Sequence, residues 1–145
     1  MPYRGAPLAM QDLIGGQIDL MIDQSSNALP HVRAGKIRAY AVTDGTRIDS
    51  AAEIPTVIEA GAPRLQMSVW SGLWAPKGTS TDASAKLNAA IVDALADPTV
   101  RSQLADLGQA IFPRDQQTPQ ALGELHKAEI DKWWPIIKAA NIRGE

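Results

Sequence analysis

Gly5-Ala6-Pro7-Leu8 through Asp23-Gln24-Ser25-Ser26-Asn27 is the stretch whose reading decides the fold. It runs turn, helix, strand, turn, helix. Pro7 suits the first position of a helix, where its missing N–H would be unpaired anyway. Leu8, Met10, Leu13 and Ile14 supply an apolar side, and Gly15-Gly16 ends the helix. Ile18-Asp19-Leu20-Met21-Ile22 is a short apolar run of the kind that forms a buried strand in a parallel sheet. Asp23 to Asn27 then hands over to a second helix behind a Ser25/Ser26 cap. Two helix N-termini are thereby expected at the same edge of one sheet. That edge is where open α/β sheets bind small ligands, and helix N-termini favour anions.

Outward from this stretch, the totals bound the answer. A chain of 145 residues normally makes one domain. A hydrophobic share of 45% suffices for a core, and a net charge of −2 carries no basic footprint for nucleic acid. Without cysteine there is no disulfide and no thiolate metal site. No apolar run is long enough to span a bilayer. Met1 is followed at once by a turn and not by a charged and then an apolar segment, so no signal peptide is read.

Further along, Asn27 to Ala34 is expected as a helix stopped by Gly35, with Pro30 tolerated only in its first turn. Ile37 to Thr43 is expected as a strand, Asp44-Gly45-Thr46 as a turn, and 47–53 as an exposed loop. Ile54-Pro55-Thr56 should cap a short helix over Val57 to Ala60. Leu65 to Ala75 alternates, with Leu65, Met67 and Val69 opposite Gln66, Ser68 and Trp70, which is strand period. Thr81 or Asp82 should cap an amphipathic helix carrying Leu87, Ala90, Ile91, Ala94 and Leu95 on one face. Asp97-Pro98 opens another helix that buries Val100, Leu104 and Leu107 before Gly108. Ala110 to Phe112 is a short strand candidate. Thr118-Pro119 opens the last helix, whose one face carries Leu122, Leu125, Trp133, Ile136 and Ala140. Glu129 falls on that same face, out of place in a simple core, and Pro135 should kink the helix.

Catalytic patterns are scarce. There is no Gly-x-Ser-x-Gly elbow, no His-Glu-x-x-His zinc helix and no phosphate loop. His31 and His126 read as structural. Asp19 and Asp23 point the same way on a strand but stand about 13 Å apart, too far for a carboxylate pair. Neither a cofactor nor a metal is expected, and the chain reads as no enzyme. What remains is an anion site. Gly5 lets a ligand approach the backbone, and the N–H groups of Ala6, Leu8 and Ala9 could meet a carboxylate. Ordinary turn and cap chemistry explains Gly5, Ser25 and Ser26 equally well from the residues alone. Asp23 would repel an anion; it suits an amino or hydroxyl group, a bridging water, or a helix cap.

An ordered series of segments adds a resemblance. Pro2-Tyr3-Arg4-Gly5, Pro7, and Asp12-Leu13-Ile14-Gly15-Gly16-Gln17-Ile18-Asp19-Leu20-Met21-Ile22-Asp23 begin it. Leu29-Pro30-His31-Val32-Arg33-Ala34-Gly35-Lys36-Ile37-Arg38-Ala39, Ile54-Pro55-Thr56-Val57-Ile58-Glu59-Ala60-Gly61 and Trp70-Ser71-Gly72-Leu73-Trp74-Ala75-Pro76-Lys77-Gly78-Thr79 continue it. Ala96-Asp97-Pro98, Ala128-Glu129-Ile130-Asp131-Lys132-Trp133 and Ile137-Lys138-Ala139-Ala140-Asn141-Ile142 close it. Together they resemble the C-terminal half of the bacterial tripartite tricarboxylate transporter solute receptors, or Bug-type receptors.

The resemblance implies an α/β chain, one lobe of a type II periplasmic-binding-protein fold with a mostly parallel sheet flanked by helices. Residues 1–75 would form the ligand-binding lobe, lacking its first strand, of which Met1-Pro2-Tyr3 would be the end. Residues 76–145 would follow the hinge and finish in a helix that normally packs on the other lobe. It tips the anion reading towards a ligand set of Tyr3, Gly5, Ala6, Pro7, Asp23, Gln24, Ser25 and Ser26. The ligand implied is a small carboxylate or amino acid, and the partners are membrane transporter subunits. The location implied is periplasmic; a complete chain without a signal peptide would instead be cytoplasmic. The alternatives are a truncated or decayed half that only dimerises, and a small α/β enzyme. Without the other lobe on which the resemblance packs this helix, Trp133, Trp134, Ile136 and Ile137 would have lost their partner. Self-association through the terminal helix is therefore predicted, and a clean monomer by size-exclusion chromatography with light scattering contradicts it.

Overall fold

The structure, a computed structural model, describes residues 3–142. The expected strand end at Met1 and Pro2 lies outside them. Among the described residues five helices carry the chain: α1 (Ala6–Ile14), α2 (Ser25–Arg33), α3 (Thr81–Ala96), α4 (Pro98–Asp106) and α5 (Pro119–Ala139). Short 3-10 turns occupy Asp49–Ala51, Pro63–Leu65 and Arg114–Gln116. The chain forms two compact units, each assembled from two segments. One is Met1–Ser71 with Asp97–Ile111, and the other is Gly72–Ala96 with Phe112–Glu145.

The expected parallel sheet is absent from the described residues. Its only trace is a parallel bridge between Val42 and Thr56. There Val42 N–H donates to Pro55 O at 2.8 Å and Val57 N–H to Val42 O at 2.8 Å. On the other side of the same segment, Met67 N–H donates to Thr43 O at 2.9 Å. The segments 18–22, 65–75 and 110–112 form no strand, and 37–43 pairs only at its end. Alternation and β-branching mark backbone that fits a pleated surface, but a strand exists only by pairing with a neighbour. Leu20 and Val69 accordingly stand about as open as surface residues, at 70% and 69% exposure. Within 65–75 the alternation itself fails, since Val69 is exposed while Trp70 is half-buried.

The first unit has a core built from Leu29 of α2 with Ala51 and Ile54, against which Val32, Ala39, Val42 and Ile48 pack. Ala9 and Met10 of α1 are buried too, whereas Leu8 and Ile14 are exposed. The 47–53 segment is therefore no simple exposed loop: its 3-10 turn delivers Ala51 to the core. Pro30 sits in the second turn of α2, not the first. The helix continues past it, losing the bond that Ser26 C=O would otherwise accept. In place of the expected helix over 57–60 there is a single turn, held by a reciprocal pair. Thr56 Oγ1 accepts from Glu59 N–H at 3.1 Å, and Glu59 Oε2 accepts from Thr56 N–H at 2.8 Å. That is a capping box on one turn of chain. Arg47 locks it from outside with a two-pronged grip on the Glu59 carboxylate at 2.9 and 3.0 Å, and also donates to Ala52 O at 2.7 Å.

In the second unit no described residue is fully buried. α3 is capped by Ser80, one residue before the expected cap, whose Oγ accepts from Ala83 N–H at 3.2 Å. Its inner face is Ser84, Asn88, Ile91, Val92 and Leu95, while Leu87, Ala90 and Ala94 are exposed. Asn88 is held there by donating to Gln117 O at 3.0 Å. α5 is capped by Thr118 as expected and runs as one helix through Pro135. Its inner face is Leu122, Leu125, Glu129, Trp133 and Ile137, with Ile136 exposed. The misplaced carboxylate is explained by a partner one turn on: the Trp133 indole N–H donates to Glu129 Oε2 at 2.7 Å. His126 and Trp74 make a T-shaped contact, with ring centroids 5.8 Å apart.

Two stability outcomes follow from the Thr56–Glu59 turn. Thr56→Ala is expected to cost about 0.5–2 kcal/mol, the usual worth of a cap, read from urea unfolding. The Arg47 guanidinium, aided by the Thr56 N–H, holds the Glu59 carboxyl down to about 2 from 4.5. A depressed carboxyl stabilises the fold above its unfolded value and ceases to as pH falls towards the folded one. Thermal stability should thus decline between pH about 4.5 and 2, and Glu59→Gln should flatten that decline; an unchanged slope contradicts the pairing.

Candidate functional site

Five helix starts pose the same problem, because the first N–H groups of a helix have no partner within it. Three are solved by side chains: Ser80 for α3, Asp97 for α4, accepting from Thr99 and Val100 N–H, and Thr118 for α5. α1 and α2 are not. α1 starts on Gly5 and α2 on Gln24, and neither makes a side-chain cap bond. The expectation that Ser25 and Ser26 cap α2 is therefore corrected: they are its first two residues. Both uncapped helices belong to the first unit and they touch one another.

At the start of α1, Gly5 has φ +141° and ψ +161°, a conformation open essentially to glycine alone. A Cβ there would meet nothing closer than Pro7 Cδ at 3.7 Å, so the backbone, not crowding, demands the glycine. Gly5, Ala6, Pro7 and Leu8 are all exposed. Ala9 is buried and lies on the core side. Tyr3 reaches back to α1: its hydroxyl donates to Asp12 Oδ2 at 2.8 Å. That bond, with some burial and the nearby charge, holds the phenol above the usual tyrosine range. Tyr3 therefore stays protonated, with its proton committed and only its oxygen lone pairs left to meet a ligand's donor.

At the start of α2, Asp23 is turned inward on its own chain. Its Oδ1 accepts from Gln24 N–H at 2.9 Å and its Oδ2 from the Asn27 amide. A carboxylate beside a helix N-terminus is favoured by the aligned peptide dipoles. Asp23 thus partly supplies the negative charge that this end of α2 attracts. Gln24 is exposed and Ser26 half-buried. Ser25 is engaged elsewhere: its hydroxyl donates to Gly108 O at 3.1 Å and accepts from Gln109 Nε2 at 3.1 Å.

The candidates thus fall into two groups, Tyr3 to Pro7 at the start of α1 and Asp23 to Ser26 at the start of α2. Asp12, Gly108 and Gln109 were outside the residues the sequence pointed to, whereas Asn27 belonged to the Asp23–Asn27 cluster of the anion reading. Asn27, in the first turn of α2, reaches back to Asp23 just ahead of the helix. Gln109 had no local signal. Chemically the groups present backbone donors at one end and fixed acceptors at the other. Among the described residues no cluster of His, Asp and Glu could hold a metal ion. No helix among them is long and apolar enough to cross a membrane. Replacing Tyr3 by Phe is expected to lower the melting temperature and free Asp12, with little change in circular dichroism; an unchanged melting temperature contradicts the Tyr3–Asp12 tie.

Comparison with known proteins points one way. The model of the tripartite tricarboxylate transporter family receptor matches residues 1–142. A UPF0065 protein of the TAR-I ttuE-ttuC' intergenic region of Agrobacterium vitis is 42% identical over 97% of this chain, which spans 40% of that protein. Protein BugT of Bordetella pertussis is 30% identical over 95% of the chain and 41% of its own length. Among solved structures, the periplasmic binding protein BugD superposes with a TM-score of 0.86 at 34% identity, covering all of this chain and 48% of BugD. MatC from Rhodopseudomonas palustris, solved with bound malate, gives 0.86 at 40% identity over 94% of this chain and 47% of MatC. The chain thus spans less than half the length of these relatives.

Proposed function

The chain belongs to the tripartite tricarboxylate transporter receptor family, a family of solute receptors and not of enzymes, and from that membership we propose that it forms one wall of a cleft that binds a small carboxylate outside the cytoplasm. The N–H groups at the start of α1 would hold the carboxylate, with Gly5 allowing it to approach. Tyr3, Ala6 and Pro7 would shape that end. Asp23, Gln24 and Ser26 would face the rest of the ligand, where Asp23 suits a hydroxyl or ammonium group. The single observation that carries this reading is the uncapped pair of helix starts in a chain 40% identical to a malate-bound relative. Nothing is transformed in this scheme; a whole receptor would hand its ligand to membrane transporter subunits. The expected halves of the chain, 1–75 and 76–145, enter this reading only as the wall and the segment that follows it.

A second reading has its own support. Ile130, Trp134, Ile136 and Ile142 of the second unit are about half exposed or more, which fits a module that associates with a second copy through α5. The two readings part on ligand binding. Calorimetric titration of the chain with malate should show binding that Gly5→Ala weakens about 10- to 100-fold, since each lost backbone contact to a charged group contributes about 1.5–3 kcal/mol. Equal heats from both proteins would remove Gly5 from the site, and no heat from the native chain would favour the module that only associates.

A further inference from the structure

Ser25 stands in the candidate ligand set by position, yet its hydroxyl is spent on two contacts with a segment 83 and 84 positions away. That segment, 97–111, returns to the first unit after α3. Its end is packed hard onto α2. Gly108 has φ +69°, and a Cβ there would come within 2.7 Å of Leu29 Cδ1, 3.0 Å of Ser25 Cβ and 3.1 Å of Ser25 Oγ. Only glycine meets both the left-handed turn and the close approach. The Gly108 turn is itself fixed by backbone bonds from Gly108 N–H to Ala105 O and from Gln109 N–H to Leu104 O, each 2.9 Å. At the far end of α2, Arg33 donates to Asp106 O at 2.9 Å and to Ser50 O at 3.3 Å. The helix is therefore gripped at both ends, and Leu29 between them is a centre of the core.

We propose that Gly108 and Gln109 form a latch on Ser25 that positions the first turn of α2, so that Gln109 sets the affinity of the candidate site without touching the ligand. Ser25 then acts as the latch's receiver, a positioning residue and not a ligand contact. The hydroxyl can serve as both donor and acceptor, which is what the pair of partners demands. The inference rests on the receptor reading for its binding readout, but not for its structural one.

The test is a double-mutant cycle on the whole chain with Ser25→Ala, Gln109→Leu and the pair, measured by calorimetric titration with malate and by amide hydrogen exchange. Gln109 is exposed, so its substitution leaves the core intact. Each single variant is expected to weaken malate about 3- to 10-fold, the net worth of one or two hydrogen bonds. The double variant is expected to be no weaker than the weaker single one, because both remove the same contact. Amides of residues 25–28 should exchange faster in all three, and Ser25→Thr, which keeps the hydroxyl, should restore protection. Additive losses, or a Gln109→Leu protein with native affinity and exchange, overturn the latch. Faster exchange in all variants of a native chain that binds no malate overturns the affinity claim and the receptor reading together, while unchanged exchange overturns the latch alone.

Discussion

Unpaired N–H groups at the start of a helix are the constraint around which this chain is arranged. Each such group seeks an acceptor, and the aligned peptide dipoles behind it favour negative charge. Three helices answer with Ser80, Asp97 and Thr118. The other two begin where the chain is held by other means: Gly5 by a backbone conformation, Gln24 by the Asp23 and Asn27 arrangement beside it. The stretch 5–27 contains both. The proposed site uses both ends, and the core under α2 gives one of them a fixed place.

Rigidity at the second end comes from far away in sequence. Leu29, Ala51 and Ile54 hold α2 from beneath, and the 97–111 segment holds it from its side through Ser25 and Arg33. Burial sets where the helix lies, since apolar area removed from water gives the larger, non-directional part of the stabilisation. Hydrogen bonds set its rotation and register, because they are directional and costly to leave unmade. In the second unit Leu122 and Leu125 supply apolar contact on the inner face of α5, and the Trp133 indole satisfies the Glu129 carboxylate that shares that face.

What the sequence made legible was local. Asp97-Pro98 and Thr118-Pro119 read correctly as helix starts, and Gly108 as a stop, because each signal acts within one turn. The family was legible for a different reason, the order of many short segments. The sheet was not. Ile18 to Ile22 has a strand's composition, but pairing depends on backbone elsewhere, and among the described residues only Val42 and Thr56 bridge. The face of α3 was misread by one position because a polar residue took an inner place, Asn88 bonding Gln117; in α5 Glu129 and Trp133 lie inward as read, and Ile137 in place of Ile136 turns inward with them. Ser25 read as a cap or ligand group because its partners at 108 and 109 give no signal near position 25.

The most direct measurement is the change in amide chemical shifts of nitrogen-15-labelled chain on adding malate. The account requires the largest changes at Ala6 and Leu8, with smaller ones across Gln24 to Ser26. Changes confined to α5, or none at saturating malate, would contradict the claim that these helix starts exist to hold an acid group.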